Sequence, residues 1–228
     1  MRAASGSFII WTDDDVLVAP SWLSAYADSM RRHPESDIFG GPIEPWLDGT
    51  PPRWLERGFH VVETAYAARD FGRQEAPITA GSLPFGANMV VRRELQIRHP
   101  FDPDLGRAPG NMFGYEETKV LGSILREGGT GWWVPDARVR HFIPRPRQTL
   151  RYLLGYWRGN GLSRARLYPA CPGRFRVLGS PCWLWRDATT STMLSLVGLV
   201  AYAPDRWLGH MRDAAVSWGE LQGNWERN

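Results

Sequence analysis

The stretch Phe8-Ile9-Ile10-Trp11-Thr12-Asp13-Asp14-Asp15-Val16 joins four consecutive apolar residues to three consecutive carboxylates. The apolar run contains two β-branched residues, which is typical of a buried strand. In an open α/β sheet, ligands bind just outside the carboxyl ends of the strands. Asp13 and Asp15 point the same way if the chain stays extended, so they can share one hard cation. The stretch therefore predicts an α/β sheet with a cation site at the end of this strand.

A purely structural explanation competes with the cation site. Asp is favoured at helix caps and in turns, so the acids could form a polar strand-to-helix turn. An Asp pair alone would leave the two explanations about equally strong. Three acids directly after an apolar strand favour the metal, whose remaining coordination positions would be open to phosphate oxygens.

Composition narrows the class of protein. The chain has 228 residues, enough for one large domain or one and a half ordinary ones, and its hydrophobic fraction is 43%. Its two cysteines, Cys171 and Cys182, do not make a disulfide framework, which favours a reducing compartment. Residues 1–7 lack the apolar core of a signal peptide, and the uncharged run 188–204 is short and polar for a membrane span. We therefore expect a cytoplasmic protein.

Positive charge is concentrated in one part of the sequence. The formal net charge is only +3, yet residues 137–178 contain ten Arg and no Asp or Glu. Such a block suits an anionic partner: a nucleotide diphosphate, a lipid headgroup or nucleic acid. It is also compatible with a solvated basic face. A nucleic-acid-binding module would use this block and its aromatic residues, but it leaves the three acids unexplained, so no nucleic-acid partner is expected.

Apolar residues at strand or helix spacing alternate along the rest of the chain. We predict strands at 37–43, 85–91, 131–134 and 137–142, and helices at 61–71, 116–127 and 148–158, the last bounded by Gly159-Asn160-Gly161. Residues 174–228 indicate a helical, aromatic-rich tail, and we predict domains at 1–168 and 169–228. The tail suits either a cap packed on the first domain or a peripheral contact with the inner face of a membrane.

Several short motifs occur in a fixed order. They are Thr12-Asp13-Asp14-Asp15, Gly41-Pro42-Ile43, Gly86-Ala87-Asn88-Met89-Val90-Val91-Arg92-Arg93, Phe101-Asp102-Pro103-Asp104-Leu105-Gly106, Gly114-Tyr115-Glu116-Glu117-Thr118, Val134-Pro135-Asp136-Ala137-Arg138-Val139-Arg140-His141 and Trp157-Arg158-Gly159-Asn160-Gly161. The ordered set resembles the inverting family 2 glycosyltransferases of the GT-A fold, as far as about Arg166. The resemblance implies a Rossmann-like mixed sheet flanked by helices.

The resemblance implies a donor site at the acidic motif. Asp13 and Asp15 would be the DxD pair that holds Mn²⁺ or Mg²⁺ on the diphosphate of a nucleotide-sugar donor, and Asp14 would belong to the same donor-binding motif. His141 stands where some members place a further contact to the metal or the diphosphate. Arg158 lies in a segment similar to the family's basic loop near the donor phosphates.

The resemblance also implies a catalytic base and a reaction. Glu117 stands at the base position of the family's Glu-Asp motif, but this chain has Glu116-Glu117 there, so either carboxylate could act. The implied reaction is a metal-dependent, inverting transfer of a sugar to a saccharide or lipid-linked acceptor. Without the resemblance, acids at a helix N-terminus also complement the helix dipole, and His141 also fits an ordinary strand histidine.

The family's opening elements have no counterpart in this sequence. Family members begin with a strand ending in Pro-Thr-Tyr-Asn, a helix, and a strand whose final Asp reads the nucleotide base. Residues 1–7 would correspond to the end of the helix that follows, so we expect an N-terminally truncated GT-A domain. Three alternatives remain beside an active transferase: a catalytically inactive remnant, a nucleic-acid-binding module that uses the Arg-rich block, and a metal-dependent hydrolase that uses Asp13, Asp15 and His141.

Overall fold

In a computed structural model of the protein, the described residues are 4–108, 111–168, 175–201 and 203–227. Their strands are β1 (Phe8–Trp11), β2 (Val16–Val18), β3 (Ile38–Gly40), β4 (Ile43–Leu47), β5 (Ala76–Pro77), β6 (Met89–Arg92), β7 (Arg107–Ala108), β8 (Asn111–Met112), β9 (Gly131–Trp133), β10 (Val139–Ile143), β11 (Arg176–Val177) and β12 (Ser180–Pro181). Their helices are α1 (Trp22–Arg32), α2 (Arg53–Val62), α3 (Arg93–Arg98), α4 (Glu116–Arg126), α5 (Leu150–Leu167), α6 (Cys182–Ala201) and α7 (Pro204–Trp225). Mixed sheets flanked by helices, followed by a helical C-terminal region, confirm the predicted α/β class.

Contacts divide the chain into two compact units that are interleaved along the sequence. The first unit comprises Met1–Asp48, Tyr66–Asp102 and Glu116–Ile143. The second unit comprises Gly49–Ala65, Pro103–Tyr115 and Pro144–Asn228. The domain boundary expected between residues 168 and 169 stays a prediction, because residues 169–174 lie outside the described part of the chain.

The first unit contains a five-stranded mixed sheet in the order β1-β6-β3-β9-β5. β6 runs antiparallel to β1 and β3, whereas β3 and β9 are parallel. Met89 pairs with both Trp11 and Gly40, and Gly40 pairs with Trp133. The carboxyl ends of β1, β3 and β9 therefore lie at one edge of the sheet, together with the amino end of β6.

Alternation along the strands gives this sheet two apolar faces. On one face, Phe39 and Val90 pack with Trp22 and Tyr26 of α1. The other face packs on α4 in a cluster of buried residues: Ile38, Met89, Val91, Val120, Leu121 and Ile124. The helix predicted at 116–127 formed because its apolar stripe covers this second face.

Two expected elements of the first half of the chain differ in the structure. All four residues of β1 are only partly buried, because β1 is the edge strand beside β6, whereas a buried strand was expected.

The position of the helix expected at 61–71 is also wrong. α2 starts after Pro52, which has the extended backbone of an N-cap, and ends at Val62, where a 3₁₀ turn over Glu63–Tyr66 follows.

A three-stranded sheet in the order β2-β10-β4 completes the strands of the first unit. β10 is antiparallel to β2 and parallel to β4. In this register Val16 is paired with His141. Since β2 begins directly after the acidic stretch, the pairing brings Asp15 close to His141.

In the second unit, α7 packs against both α5 and α6. The helix that we expected to end at Gly159 continues to Leu167, so that expectation is wrong. A Cβ on Gly161 would lie 2.1 Å from Val216 O, and a Cβ on Gly219 would lie 2.2 Å from Arg158 O. These glycines allow two helix backbones to approach closely and do not end the helix. Of the helices in the described ranges, none combines the length and apolar character needed to cross a membrane.

Gly161→Ala is expected to destabilise the second unit, although alanine is the better helix former. The added methyl group would lie 2.1 Å from Val216 O and 2.8 Å from Glu220 N, both backbone atoms. Separating α5 from α7 should cost about 1–3 kcal/mol in the free energy of unfolding, measured by urea denaturation.

Gly155→Ala is the matched control in the same helix, because an added methyl group there meets nothing within 4 Å. It should raise the free energy of unfolding by up to about 1 kcal/mol. Equal effects of the two substitutions would contradict the close packing of α5 on α7.

Candidate active site

The acidic stretch connects β1 to β2 at the carboxyl-end edge of the five-stranded sheet. β1 ends at Trp11 and β2 begins at Val16, so residues 12–15 form the connection. The N–H of Phe142 donates to the carbonyl oxygen of Asp15 over 2.9 Å, which extends the pairing of β2 with β10. The acids therefore lie in a turn that leads from one strand to the next, and not from a strand to a helix as the structural explanation had it.

Asp13, Asp15 and His141 lie together in the first unit. One potential ligand atom from each lies within 4.8 Å of the others. Nε2 of His141 is 3.2 Å from Oδ1 of Asp15. His141 is buried, Asp15 is half-buried and Asp13 is exposed, so the group is accessible from the side of Asp13. Two carboxylates suit Mg²⁺ or Mn²⁺, and an imidazole is a common additional ligand.

The orientation of His141 fits a metal ligand. Its Nδ1 lies 2.6 Å from the carbonyl oxygen of Tyr66. A carbonyl oxygen can only accept, so Nδ1 donates and the neutral ring has its lone pair on Nε2. Nε2 faces a carboxylate of Asp15, also an acceptor, so the pair needs a proton or a cation between them. Metal-binding histidines almost always donate their other N–H in this way, and these residues therefore fit a divalent cation.

Asn88 connects the segments around this edge of the sheet. Its side chain is fully buried. Oδ1 accepts from Nε1 of Trp22 at 2.8 Å and from the hydroxyl of Tyr26 at 2.7 Å. Nδ2 donates to Pro42 O at 3.0 Å and to Ala137 O at 2.7 Å. One side chain thereby joins α1 to the connections that lead into β4 and β10, and so helps to position His141.

Sequence reasoning assigned no role to Asn88. Burial raises the pKa of the Tyr26 hydroxyl well above its ordinary value, so this hydroxyl remains a donor to Asn88. Gly41 lies against the same amide: a Cβ there would be 2.2 Å from Ala137 O and 2.8 Å from Asn88 Nδ2. The sequence could have indicated this role through the position of Asn88 directly before the apolar run of β6. A polar residue there is expected to be buried, and a buried amide needs hydrogen-bond partners.

Asn88→Ala is expected to lower the free energy of unfolding by about 2 kcal/mol, because buried donors and acceptors lose their partner. Tyr26→Phe removes one donor to the same amide and should cost about 1 kcal/mol. The midpoint of urea unfolding, followed by tryptophan fluorescence, measures both. An Asn88→Ala midpoint equal to that of the parent would contradict the connecting role.

Glu117, near the start of α4, reaches the same edge of the sheet. The N–H of Gly86 donates to Oε1 of Glu117 over 3.1 Å. Gly86 closely precedes Met89, which pairs with Trp11 at the end of β1. The Glu117 carboxylate is therefore held near the edge from which the acidic stretch departs. The neighbouring Glu116 has its Oε2 buried in the protein.

Asp14 lies outside the group of three and lines a neighbouring concavity. The concavity has a volume of about 320 Å³, and its lining is mostly apolar: Asp14, Asp15, Val16, Leu17, Trp46 and Phe142. Trp46 is 40% exposed. The guanidinium of Arg140 lies 4.9 Å from the centre of its ring. The acids thus border a surface with an accessible aromatic ring.

Arg158 belongs to the second unit, where it lies exposed on α5. Its Nε and Nη2 donate to Oε1 of Gln222 at 2.9 and 2.5 Å. Residues 157–161 are helical, so the basic loop that the resemblance implied is a helix in this protein. A contact between Arg158 and donor phosphates stays a prediction.

A mixed α/β sheet with two carboxylates and a histidine grouped beside its carboxyl-end edge has the arrangement of the class of α/β proteins that bind ligands at this edge. Within that class, the chain is similar to the succinoglycan biosynthesis protein ExoM of Rhizobium meliloti (strain 1021). The two are 26% identical over 167 residues, which cover 72% of this chain and 49% of that protein. The chain thus spans about half the length of the curated relative it matches. No protein-family profile matches the sequence. The protein is therefore a distant homologue of a polysaccharide-biosynthesis protein.

Proposed function

We propose that this protein is a glycosyltransferase that moves a sugar from a nucleotide-diphosphate-sugar donor to a saccharide or lipid-linked acceptor. The observation that carries the proposal is the group of Asp13, Asp15 and His141 at the carboxyl-end edge of a mixed sheet. The similarity to a succinoglycan biosynthesis protein supports it, because polysaccharides are built by sugar transfer. Family 2 membership, metal dependence and inversion are parts of the same proposal.

The donor diphosphate is proposed to bind at the group of three. When bound there, Mn²⁺ or Mg²⁺ would neutralise the charge of the leaving diphosphate. The carbonyl of Tyr66 sets the imidazole tautomer and directs Nε2 of His141 toward Oδ1 of Asp15, 3.2 Å away, where a cation or a proton would lie between them. This fixed arrangement needs little reorganisation when a donor binds.

Two further residues are proposed to contact the donor or acceptor. Trp46 is exposed beside Asp14 in the neighbouring concavity, and its ring offers an apolar surface on which a sugar can stack. Arg158 is proposed, from the family resemblance, to add positive charge toward the phosphates. Its hydrogen bonds to Gln222 would then have to rearrange or be shared.

In the proposed reaction, the acceptor oxygen attacks the anomeric carbon from the face opposite to the diphosphate. The new carbon–oxygen bond forms as the bond from the anomeric carbon to the phosphate oxygen breaks, and the electron pair leaves with the diphosphate. Glu117 takes the hydroxyl proton while Gly86 N–H holds its Oε1. Glu116 suits this role less well because its Oε2 is buried.

Nucleoside diphosphate release from a panel of nucleotide-sugar donors tests the proposal. The reactions are run with and without Mn²⁺, and with and without oligosaccharide or lipid-linked acceptors. We expect nucleoside diphosphate to be released only when Mn²⁺ and an acceptor are both present. Mass spectrometry should show an acceptor product one sugar larger, and NMR should show that the anomeric configuration of the donor sugar is inverted in the product. Free sugar formed without an acceptor would identify a hydrolase, and no turnover of any donor would contradict the proposal.

A further inference from the structure

Exposed large apolar side chains are concentrated in one short part of the second unit. Of the nineteen such residues in the described ranges, ten lie between positions 175 and 200. They occur on α6 and in or beside the β11–β12 hairpin: Phe175, Val177, Leu178, Trp183, Met193, Leu194, Leu196, Val197, Leu199 and Val200. Single apolar residues on a surface need no explanation, but their concentration on one hairpin and one helix points to an interaction site.

α6 has the reverse of the usual size pattern of a surface helix. Its buried residues are Leu184, Ala188, Ser195 and Gly198, and three of these four are small. This side faces α7, where Leu221 packs with Leu184 and Ala188. The outward side of its last turns carries large aliphatic residues that are 43% to 93% exposed: Met193, Leu194, Leu196, Val197, Leu199 and Val200. Small residues toward a neighbouring helix and large ones outward are typical of helices in contact with lipid.

The threonine hydroxyls of α6 are hydrogen-bonded within the protein. Thr189, Thr190 and Thr192 each donate to a backbone carbonyl one turn earlier in the helix. Nε1 of Trp218 also donates to Oγ1 of Thr192 over 3.0 Å. A hydroxyl paired in this way loses little when water is removed. These polar groups therefore do not prevent α6 from entering an apolar medium.

The sequence of the second unit on either side of this surface is rich in Arg. Between residues 144 and 204, nine Arg occur with one acid, Asp187. Arg176 lies between the exposed Phe175 and Val177 on the hairpin. Arg186 contacts Asp187. It lies on the same side of α6 as Met193, Val197 and Val200, which follow it by about two, three and four helical turns. Apolar side chains bordered by Arg match an anionic lipid surface, where acyl chains lie beneath phosphate headgroups.

We propose that the outward side of α6 and the β11–β12 hairpin, together the apolar face, dock this protein on an anionic lipid bilayer. α6 lies in the membrane interface, with its aliphatic residues among the acyl chains and Arg near the headgroups. The charge favours lipid over a second copy of the chain, because two copies would bring like-charged surfaces together. The proposal does not depend on glycosyl transfer.

Flotation of the whole chain with lipid vesicles tests the proposal. The parent should float with vesicles of mixed phosphatidylcholine and phosphatidylglycerol, and less with phosphatidylcholine alone. The double variant Leu196→Glu with Val200→Glu should lose about tenfold or more of its partitioning, because each carboxylate must be dehydrated to enter lipid. The two side chains are 62% and 93% exposed, so the fold should survive, which thermal unfolding checks.

The double variant Leu23→Glu with Ile97→Glu is the matched control, because it places two carboxylates on exposed apolar positions of α1 and α3. It should float as the parent does. The proposal is overturned if the parent binds neither kind of vesicle, or if both double variants lose partitioning equally. It is also overturned if the parent forms a lipid-free dimer that the α6 double variant dissociates.

Discussion

The Glu117→Gln variant is expected to keep donor binding and to lose sugar transfer by about a hundredfold or more. Glutamine keeps the size of the side chain and can still accept from the N–H of Gly86, a contact of 3.1 Å in the parent. It cannot take a proton from the acceptor hydroxyl. The turnover number at saturating donor measures transfer, and calorimetry measures donor affinity. The loss should therefore appear in kcat and leave donor affinity unchanged.

Glu116→Gln is the matched control, since it makes the same change one residue earlier in α4. The Oε2 of Glu116 is buried, so we expect a smaller loss of transfer than for Glu117→Gln. A larger loss in Glu116→Gln would make Glu116 the base. If neither variant loses transfer, the assignment of the base to this motif is wrong.

The Asp15→Ala variant is expected to weaken metal-dependent binding of a nucleoside diphosphate by about a hundredfold or more. Loss of a residue that only orients a metal ligand costs about 10–100-fold in metal affinity, and removal of a proposed ligand should cost more. Oδ1 of Asp15 lies 3.2 Å from Nε2 of His141, so alanine also removes the acidic partner of the imidazole. Titration calorimetry with Mn²⁺ and a nucleoside diphosphate measures the affinity without requiring turnover.

Asp14→Ala removes the neighbouring acid, which is not a member of the group of three, and so controls for the loss of one negative charge. It should bind the metal and nucleotide much more like the parent than Asp15→Ala does. Unchanged binding in Asp15→Ala would rule out the metal-site interpretation. Equal losses in both variants would point to bulk charge and not to coordination.

The spacing of apolar residues was sufficient to predict the main elements of the first unit. The apolar run of β1 and the apolar stripe of α4 are local patterns, so both elements were predicted, although β1 is less buried than expected. The end of α5 could not be predicted in this way, because glycine usually marks the end of a helix. Glycine also occurs inside a helix where a neighbouring backbone approaches too closely for a side chain. Gly161 is such a case, and Val216 on α7 supplies the neighbouring backbone.

The residues of the candidate site that belong to sequence motifs could be predicted. The hydrogen bonds that position these residues could not. Asp13 and Asp15 were singled out from the sequence, and the family resemblance added His141; the structure brings these three residues together. Their metal binding and the role of Glu117 stay predictions. The carbonyl of Tyr66 was not foreseen, because a backbone acceptor carries no signal in its residue type.

By itself, the sequence determined the class of the fold, the junction of an apolar strand with three acids, and the amphipathic stripe of α4. These depend on local periodicity, which residue types encode directly. Only the tertiary structure decided that Asn88 joins α1 to Pro42 and Ala137, and that α5 continues through its glycines. Each of these depends on partners distant in the chain, and a hydrogen bond or a close backbone approach exists only once the sheet register and helix packing have placed them.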